Sequence, residues 1–284
     1  MKVWLNGEFV DKKDATINVF DHAVLYGDGI FEGIRVYGGK IFKCAEHLDR
    51  LFGSGEYIRL DIPYTKAQLT EAMEEAIQVN DRVDAYIRLV VTRGEGNLGV
   101  SPFICPSANT FIIVDSIALY NEEMYIQGLP VIIAKTVRTS ASMLSPSAKT
   151  LNYLNNIVAK IESIDAGASE AIMLNADGYV AECTADNIFF VKDGKIFTPS
   201  PEAGMLMGIT RQVVLDLAGE LGIEAVEQLF DTEFGFAADE CFLTGTGAEI
   251  IAVTKIDDKT IGNGSAGPIT MKLLEAFRNL TRQG

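Results

Sequence analysis

The sequence predicts an α+β protein of two domains, on three observations. A chain of 284 residues is long enough for two domains of ordinary size. Pairs of short apolar runs flank turn signals rich in glycine, which predicts antiparallel hairpins rather than a doubly wound sheet. Segments with the helical spacing of apolar residues lie between these hairpins. A composition of 48% hydrophobic and 22% charged residues is typical of a folded chain and excludes a disordered one.

The predicted strands come mainly from four hairpins whose turns contain glycine. Asn6-Gly7 is the first of these turns, and Asn-Gly is the strongest short signal for a hairpin. The hairpins are predicted to join residues 3–5 to 8–10, 31–37 to 41–44, 171–174 to 179–183 and 188–191 to 196–198. Further strands are predicted over residues 85–92, 109–116 and 241–243.

Five helices are predicted from apolar residues that recur every three or four positions. They cover residues 45–57, 65–79, 151–164, 209–221 and 269–280. Thr65 is predicted to cap the second helix, because a threonine hydroxyl can accept a hydrogen bond from the exposed N–H groups at a helix start. We predict a smaller N-terminal domain over residues 1–118, a linker over 119–128 and a larger C-terminal domain over 129–284.

Charge and residue usage exclude several classes of function. The net charge of −15 would repel phosphate backbones and anionic lipid, so nucleic acids and membrane surfaces are not expected partners. Only two histidines, His22 and His47, are present, which disfavours a Ser-His-Asp hydrolase and predicts no metal site. The cysteines, which show no paired spacing, are Cys44, Cys105, Cys183 and Cys241. Without an apolar run of signal-peptide or membrane-span length, a reduced cytoplasmic protein is expected.

Nucleotide-binding motifs receive little support. Gly94-Glu-Gly-Asn-Leu-Gly99 matches the G-x-G-x-x-G pattern and follows a predicted strand. In dinucleotide-binding proteins this pattern must also open a helix, whose N-terminus holds the pyrophosphate. Val100-Ser-Pro102 follows here and no helical spacing appears, so a loop is expected instead. The chain also lacks the G-x-x-x-x-G-K-[ST] motif of the P-loop.

Two glycine-containing segments could bind an anion. Gly208-Ile209-Thr210 opens a predicted helix, where free N–H groups and the helix dipole favour negative charge. The sequence 244–249 places glycines and threonine hydroxyls directly after a predicted strand. Taken alone, each pattern also fits an ordinary helix start or turn.

Three charged residues are candidates for a functional site. Lys149 precedes a predicted helix with apolar first turns, and apolar surroundings make an amine easier to deprotonate, as imine formation requires. Glu182 lies among alternating apolar residues and needs a cationic partner if it is buried. Arg50 is another potential fixed charge. From the pattern alone, a solvated surface lysine at position 149 and a salt-bridged, exposed face for Glu182 and Arg50 are favoured.

Seven short segments follow one another along the chain. They are Tyr26-Gly-Asp-Gly-Ile-Phe-Glu-Gly-Ile-Arg35, His47-Leu-Asp-Arg50-Leu, Tyr86-Ile-Arg88, Ala148-Lys149 with Asn152-Tyr153, Glu182 with Asn187, Gly208-Ile-Thr-Arg211 and Gly245-Thr246. Taken together, they resemble the fold-type IV enzymes that depend on pyridoxal 5'-phosphate (PLP), and within these enzymes they are most similar to the branched-chain amino-acid aminotransferases. The resemblance spans about residues 3 to 280 and implies a two-domain α+β fold of mixed and antiparallel sheets with flanking helices, whose C-terminal domain binds PLP.

The resemblance implies a role for each cofactor contact. Lys149 would form the imine with PLP and then move the proton between the substrate Cα and the cofactor. Glu182 would keep the pyridine nitrogen protonated. The remaining contacts implied are Arg50, Ile209, Thr210 and Thr246 at the phosphate, and Asn187 and Tyr153 at the ring and its 3'-hydroxyl.

For the substrates, the resemblance implies transfer of the amino group of L-leucine, L-isoleucine or L-valine to 2-oxoglutarate. Arg88 and tyrosine hydroxyls would bind the γ-carboxylate of glutamate, while aromatic faces accept the aliphatic side chain. Main-chain groups at Thr246-Gly247 would receive the α-carboxylate. The implied pocket residues are Tyr26, Phe31, Tyr86 and Arg88. A homodimer or higher homo-oligomer, with active sites near the dimer contact, is also implied.

Three other functions remain as alternatives. D-Amino-acid aminotransferases resemble one another in carrying an Arg and a His soon after the strand equivalent to residues 85–92, and residues 94–102 contain neither. The aminodeoxychorismate lyases are disfavoured by Arg88 and by the motif at Tyr26. A binding protein that has kept the fold and lost the chemistry would not be expected to retain together Lys149, Glu182, Arg50 and Thr246.

Overall fold

The computed structural model of the chain describes residues 1–117 and 119–283, which form two compact units. Unit 1 comprises residues 1–117 and 148–152, and unit 2 comprises residues 119–147 and 153–283. The elements of unit 1 are β1 (Lys2–Leu5), β2 (Glu8–Asp11), α1 (His22–Tyr26), β3 (Gly29–Tyr37), β4 (Lys40–Ile41), α2 (Cys44–Tyr57), α3 (Lys66–Val79), β5 (Ala85–Thr92) and β6 (Asn109–Asp115), with a short 3-10 helix at Pro102–Ile104.

Unit 1 is built on a sheet of order β2-β1-β6-β5-β3-β4, in which all described neighbours are antiparallel. The predicted hairpin at Asn6-Gly7 is confirmed, and both residues have positive φ, as such a turn requires. One face of the sheet packs against α2 and α3 through Ile87 and Leu89 of β5. Because side chains alternate along a strand, Tyr86 and Arg88 project from the opposite face.

Two predictions in unit 1 can be compared directly with the structure. Thr65 caps α3 as predicted, accepting a hydrogen bond from the Gln68 N–H at 3.2 Å in a complete capping box. The predicted strand over residues 41–44 is wrong, because β4 ends at Ile41. Lys43 adopts a left-handed conformation with φ 54°, which turns the chain into α2 at Cys44.

Unit 2 contains the longer series of elements. They are α4 (Glu122–Gln127), β7 (Leu129–Ile133), α5 (Leu154–Asp165), β8 (Glu170–Leu174), β9 (Val180–Cys183), β10 (Asn187–Lys192), β11 (Lys195–Pro199), α6 (Ile209–Glu220), β12 (Ala225–Gln228), α7 (Thr232–Phe236), β13 (Glu240–Gly245), β14 (Glu249–Ile256), β15 (Lys259–Thr260) and α8 (Pro268–Gln283). A 3-10 helix occupies Pro201–Ala203.

The described strands of unit 2 form one mixed sheet of order β12-β11-β10-β13-β14-β7-β8-β9, and β15 pairs with β14. The predicted hairpins β8–β9 and β10–β11 are present as antiparallel pairs. The pairs β11–β12, β14–β7 and β7–β8 are parallel. Phe189 of β10 stacks on Phe242 of β13 with ring centroids 4.9 Å apart, and α6 and α8 pack beside β13. Together the two units confirm the predicted α+β class with mixed and antiparallel sheets.

The start of α5 differs from the prediction of a helix from residue 151. In unit 1, residues 149–151 run alongside β3 instead: the Phe31 N–H donates to the Lys149 carbonyl at 3.1 Å, and the Leu151 N–H donates to the Gly29 carbonyl at 2.9 Å. The antiparallel bridge between Ile30 and Thr150 requires an extended backbone, which is incompatible with helical dihedral angles, and α5 begins only at Leu154 in unit 2. The stretch 119–128, predicted as a linker, contains α4.

Within residues 1–117 and 119–283, no helix combines the length and the apolar composition needed to cross a bilayer.

Candidate active site

A buried carboxylate organises the charged residues of unit 1. Glu32 on β3 is 0% exposed and receives two hydrogen bonds of 2.7 Å from the Arg50 guanidinium, one to each oxygen. His47, one turn before Arg50 on α2, donates from Nδ1 to Glu32 Oε2 at 2.8 Å. Burial alone would raise the pKa of Glu32, but the charge of Arg50 and these hydrogen bonds outweigh it and lower the pKa to about 2. Burial lowers the pKa of His47.

Lys149 lies in the same unit, on the segment that runs beside β3. Its Nζ is 4.5 Å from the centroid of the Phe31 ring. Burial is the main cause that lowers the pKa of Lys149 to about 8, the positive charge of Arg50 acts in the same direction, and the carboxylate of Glu32 opposes it. Lys149 is partly buried, so the structure does not show the fully solvated lysine that the pattern favoured. An amine with this pKa loses its proton far more readily than an exposed lysine.

The predicted substrate residues of unit 1 lie on β3, β5 and α1. Phe31, Tyr86 and Arg88 lie together: Arg88 Cζ is 4.6 Å from the Phe31 ring centroid, and its Nη2 donates to the Tyr86 hydroxyl at 3.2 Å. Tyr26, at the end of α1, donates from its hydroxyl to the Leu98 carbonyl at 2.6 Å. This hydrogen bond links Tyr26 to the loop that contains the Gly94–Gly99 pattern. No α-helix begins in that loop, as the sequence predicted.

In unit 2, the corresponding carboxylate is Glu182 on β9, which is 5% exposed. Arg138 donates from Nε to Glu182 Oε1 at 2.7 Å, and the Leu206 N–H donates to Oε2 at 3.1 Å. The exposed face that the pattern allowed for Glu182 is therefore wrong. Sequence reasoning required a cation for a buried Glu182 but did not find Arg138, whose only signal is its position a few residues after β7.

Asn187 connects this carboxylate to the start of α6. Its Nδ2 donates to the Leu206 carbonyl at 2.8 Å, so Glu182 and Asn187 hold the two main-chain groups of the same residue. Two residues later, Gly208 is the N-cap of α6 and offers no side-chain cap. A Cβ at Gly208 would overlap the Asn187 amide oxygen, so any other residue there would displace the Asn187 side chain. No side chain caps the first N–H groups of α6, at Ile209 and the buried Thr210, so they could donate hydrogen bonds to an anion.

The turn between β13 and β14 is the second glycine-containing segment. Gly245 pairs with Glu249, so residues 246–248, which include Thr246 and Gly247, form a three-residue turn. A Cβ at Gly245 would overlap the Asp186 carboxylate. Just before the turn, the Thr244 hydroxyl is buried and has no hydrogen-bond partner among the described residues. Tyr153, at the start of α5, is partly buried.

Among the described residues, no group of three or more His, Cys, Asp and Glu side chains is arranged to hold a metal ion.

Known proteins match the chain over nearly its whole length. A family model described as Amino-transferase class IV matches residues 29–256. A protein of Methanocaldococcus jannaschii is 47% identical over 281 residues, which cover 99% of this chain and 96% of that protein. The branched-chain-amino-acid aminotransferase of Pseudomonas aeruginosa is 38% identical, over 98% of this chain and 92% of that enzyme.

Solved structures give the same result. The branched-chain amino acid aminotransferase of Escherichia coli has a TM-score of 0.96 at 35% identity, covering 99% of this chain and 95% of that one. The branched-chain amino acid aminotransferase of Thermoproteus uzoniensis with norvaline has a TM-score of 0.93 at 36% identity, covering 100% and 95%. A further branched-chain amino acid aminotransferase, solved with pyridoxamine 5'-phosphate, has a TM-score of 0.96 at 36% identity, covering 99% and 94%. The predicted fold-type IV architecture and transaminase class are confirmed, and the chain belongs to the class IV aminotransferase family.

Proposed function

We propose that this aminotransferase transfers the amino group of L-leucine, L-isoleucine or L-valine to 2-oxoglutarate, with PLP as its cofactor. The similar enzymes of Pseudomonas aeruginosa and Escherichia coli are named for branched-chain amino acids. The observation that carries the proposal in this chain is the surroundings of Lys149. Its amine has a pKa of about 8 and lies beside the Phe31 ring, which also contacts Arg88.

The chain has donors and acceptors that fit each part of PLP. A phosphate needs N–H and hydroxyl donors with a cation, and we assign Arg50, Ile209, Thr210 and Thr246 to it. The uncapped start of α6 and the unpartnered Thr244 hydroxyl near residue 246 support this assignment. When bound, PLP supplies an electron-withdrawing ring that stabilises negative charge at the substrate Cα.

Lys149 has the two properties that its role requires. Because its pKa is about 8, a substantial fraction of the amine is neutral near pH 7, and only a neutral amine can form a covalent bond to a carbonyl carbon. The same Nζ would take a proton from the substrate Cα and deliver it to the cofactor, because its pKa is close to the working pH.

Glu182 is assigned to the ring nitrogen, and Asn187 and Tyr153 to the ring and its 3'-hydroxyl. The carboxylate would accept the hydrogen bond of a protonated ring nitrogen, and the ion pair with Arg138 compensates its burial. Because Glu182 and Asn187 both bind the main chain of Leu206, they also hold the segment that leads to α6 in place.

The substrate assignment uses charge and apolar surface together. Arg88, next to the Tyr86 hydroxyl, would bind the γ-carboxylate of glutamate, and the Phe31 ring would contact an aliphatic side chain. Tyr26 would complete this pocket. The N–H groups of Thr246 and Gly247 would bind the α-carboxylate, since a turn with exposed N–H groups suits an anion.

Amine transfer from L-leucine, D-alanine and 4-amino-4-deoxychorismate, measured in parallel on the PLP-loaded enzyme, tests this proposal. We expect L-leucine to be the preferred donor with 2-oxoglutarate as acceptor, together with a change in the visible absorption band. Faster turnover of D-alanine, or release of pyruvate from 4-amino-4-deoxychorismate, would contradict it.

We also propose that the enzyme works in the cytoplasm as a homodimer or higher homo-oligomer and does not bind nucleic acid. The family resemblance supports the oligomer, and the net charge of −15 supports the absence of nucleic acid. Light scattering of the holoenzyme tests the oligomer, and a monomer at micromolar concentration would contradict it.

A further inference from the structure

Ser54 connects the main chains of two residues assigned to the reaction. It lies near the end of α2 and is 2% exposed. Its hydroxyl donates to the Arg50 carbonyl at 2.8 Å and accepts a hydrogen bond from the Lys149 N–H at 3.0 Å. A hydroxyl has one proton to donate and lone pairs to accept, so this arrangement satisfies both of its capacities.

The second contact matters because Lys149 lies outside any helix or regular strand of its own. Its carbonyl is held by the Phe31 N–H of β3, on the other side of the segment. The Ser54 hydroxyl therefore supplies the matching anchor for the Lys149 N–H, from the helix that carries Arg50. Without this hydroxyl the part-buried N–H of Lys149 would lose its hydrogen-bond partner, and the chain would have to move or admit water to replace it.

We propose that Ser54 is a positioning residue for amine transfer, whose hydroxyl fixes the Lys149 main chain, and with it the reactive amine, relative to helix α2 and Arg50. This inference rests on the proposed role of Lys149. Ser54 touches neither substrate nor cofactor in this proposal and acts only through Lys149. Its effect should therefore appear in the rate of the chemical step, because a reacting group displaced by about 1 Å can lose a hundredfold in rate.

The test compares Ser54→Ala with Ser54→Thr, which keeps a hydroxyl, and with a matched serine in unit 2. Ser163 on α5 is 0% exposed, and its hydroxyl donates to the Lys160 carbonyl at 2.8 Å. Ser163→Ala thus also removes one buried hydroxyl bonded to a helix carbonyl, but no bond to Lys149. For each variant we would measure kcat and KM for L-leucine in the holoenzyme, and the melting temperature.

A second readout is independent of activity. Amide hydrogen–deuterium exchange of the cofactor-free full chain, followed in peptides that cover residues 148–152, reports whether the Lys149 segment is still held. We expect Ser54→Ala to exchange at least about tenfold faster there and to lose about ten- to a hundredfold in kcat, with KM changed less than about threefold. Ser54→Thr should keep kcat and the exchange rate close to wild type, whereas Ser163→Ala should lower only the melting temperature.

The proposal is overturned if Ser54→Ala keeps its kcat within twofold of wild type, or if its exchange at residues 148–152 is unchanged. It is also overturned if a folded Ser54→Thr loses as much kcat as Ser54→Ala. Should Ser54→Thr not fold, the comparison of Ser54→Ala with Ser163→Ala decides by the same two readouts. A wild-type enzyme that fails to use L-leucine would instead contradict the proposed function, and the exchange measurement would still judge the anchoring of Lys149.

Discussion

Each of the two units contains a buried glutamate that is paired with an arginine, and we propose opposite roles for the two pairs. In both, an arginine Nε donates to a glutamate oxygen at 2.7 Å. In unit 1 the proposed functional group is the cation, Arg50, and Glu32 supports it. In unit 2 the proposed functional group is the anion, Glu182, and Arg138 supports it. The comparison teaches that a buried ion pair does not reveal which partner faces the chemistry, because each partner equally needs the other to be buried.

The residues that bind the two carboxylates also differ in how far apart they lie in the chain. Glu32 is bound by Arg50 and His47, which come from one face of one helix, so a single short motif contains both donors. Glu182 is bound by Arg138, 44 residues earlier in the chain, and by the main chain of Leu206. The first cluster is therefore set by helical spacing, and the second by long-range folding.

The largest expected effect comes from removing the amine itself. Lys149→Ala should lower transamination by at least about a thousandfold, because the covalent anchor and the proton carrier are lost together. PLP should still bind noncovalently through the phosphate contacts. Single-turnover absorbance after addition of L-leucine, with equilibrium dialysis of PLP, measures both effects. Turnover close to the wild-type rate would show that Lys149 is not the catalytic residue.

The next prediction separates the two ion pairs. Glu182→Gln should lower kcat by about a hundredfold or more, because it removes the charge that we assign to the ring nitrogen. Glu32→Gln should instead act mainly on stability, lowering the free energy of unfolding by about 3 kcal/mol, since it leaves the Arg50 charge without its counter-ion. Denaturant unfolding and kcat, measured on the same samples, test both. Equal losses of kcat in the two variants would contradict the opposite roles.

Acid unfolding provides a second measure of the Glu32 pair. The pKa of Glu32 is lowered from its ordinary value of 4.5 to about 2 in the folded protein. Such a group stabilises the fold fully above its unfolded pKa and loses that contribution as pH falls through the folded pKa, so the loss should occur between about pH 4.5 and pH 2. Glu32→Gln should remove this part of the acid dependence. The control is the exposed Glu46 in the first turn of α2, which is paired with Lys43 at 2.9 Å. The pKa of Glu46 is also lowered, so Glu46→Gln should remove only its own contribution and keep the part due to Glu32.

Sequence patterns predicted the hairpins and caps well because these depend on local chemistry. Asn6-Gly7 and Thr65 need only their immediate neighbours to act as a turn and a cap. The strands β7 and β12 were not predicted, because all their described pairings are parallel and no hairpin turn marks them. The strand β14 was also missed, although it pairs with β13 across the turn at residues 246–248. The late start of α5 has the same origin, since the partner of residues 149–151 is β3, more than a hundred residues earlier.

At the candidate site, too, local signals were predictable from the sequence and long-range partners were not. The motifs singled out Lys149 and Glu182, but no periodicity could predict that Arg138 would pair with Glu182. Ser54 was also missed, because a serine inside a helix carries no signal of its own. Both are supports rather than groups with their own chemistry, and their partners are fixed only once the chain has folded.

Arg88 extends the comparison to a cation that lies over aromatic rings, those of Phe31 and Tyr86, whereas Arg50 is held by a carboxylate. Arg88→Leu should lower kcat/KM for 2-oxoglutarate by about ten- to a hundredfold, because a charge-assisted hydrogen bond contributes roughly 1.5–3 kcal/mol. The half-reaction with L-leucine makes no ionic use of Arg88 and should change much less. Single-turnover spectra of the two half-reactions, with melting on the same samples, distinguish recognition from structure. Equal losses in both halves would make Arg88 a structural residue.

The smallest expected effect is a shift in the pKa of Lys149. It tests whether the charge of Glu32 influences the reactive amine. A lysine reacts as its neutral form, which increases as pH rises through the pKa. With a pKa of about 8, roughly a tenth of Lys149 should be neutral at pH 7, against about one in 2,500 for an ordinary lysine. Reductive methylation of the cofactor-free full chain, quantified at Lys149 by mass spectrometry from about pH 6 to pH 10, should be half-maximal near pH 8.

A short lysine peptide in the same solution gives the reference, with an ordinary pKa of about 10.4. The negative charge of Glu32 raises the pKa of Lys149, while burial and Arg50 lower it. Glu32→Gln should therefore move the half-point to lower pH, and the exposed control Glu46→Gln should leave it in place. Because Arg50 keeps its charge in Glu32→Gln, a half-point that stays unchanged or moves upward would mean that Glu32 acts on Arg50 alone. Glu32 and Arg138, the supporting residues of the two units, would then be alike, since each would act only on its direct partner.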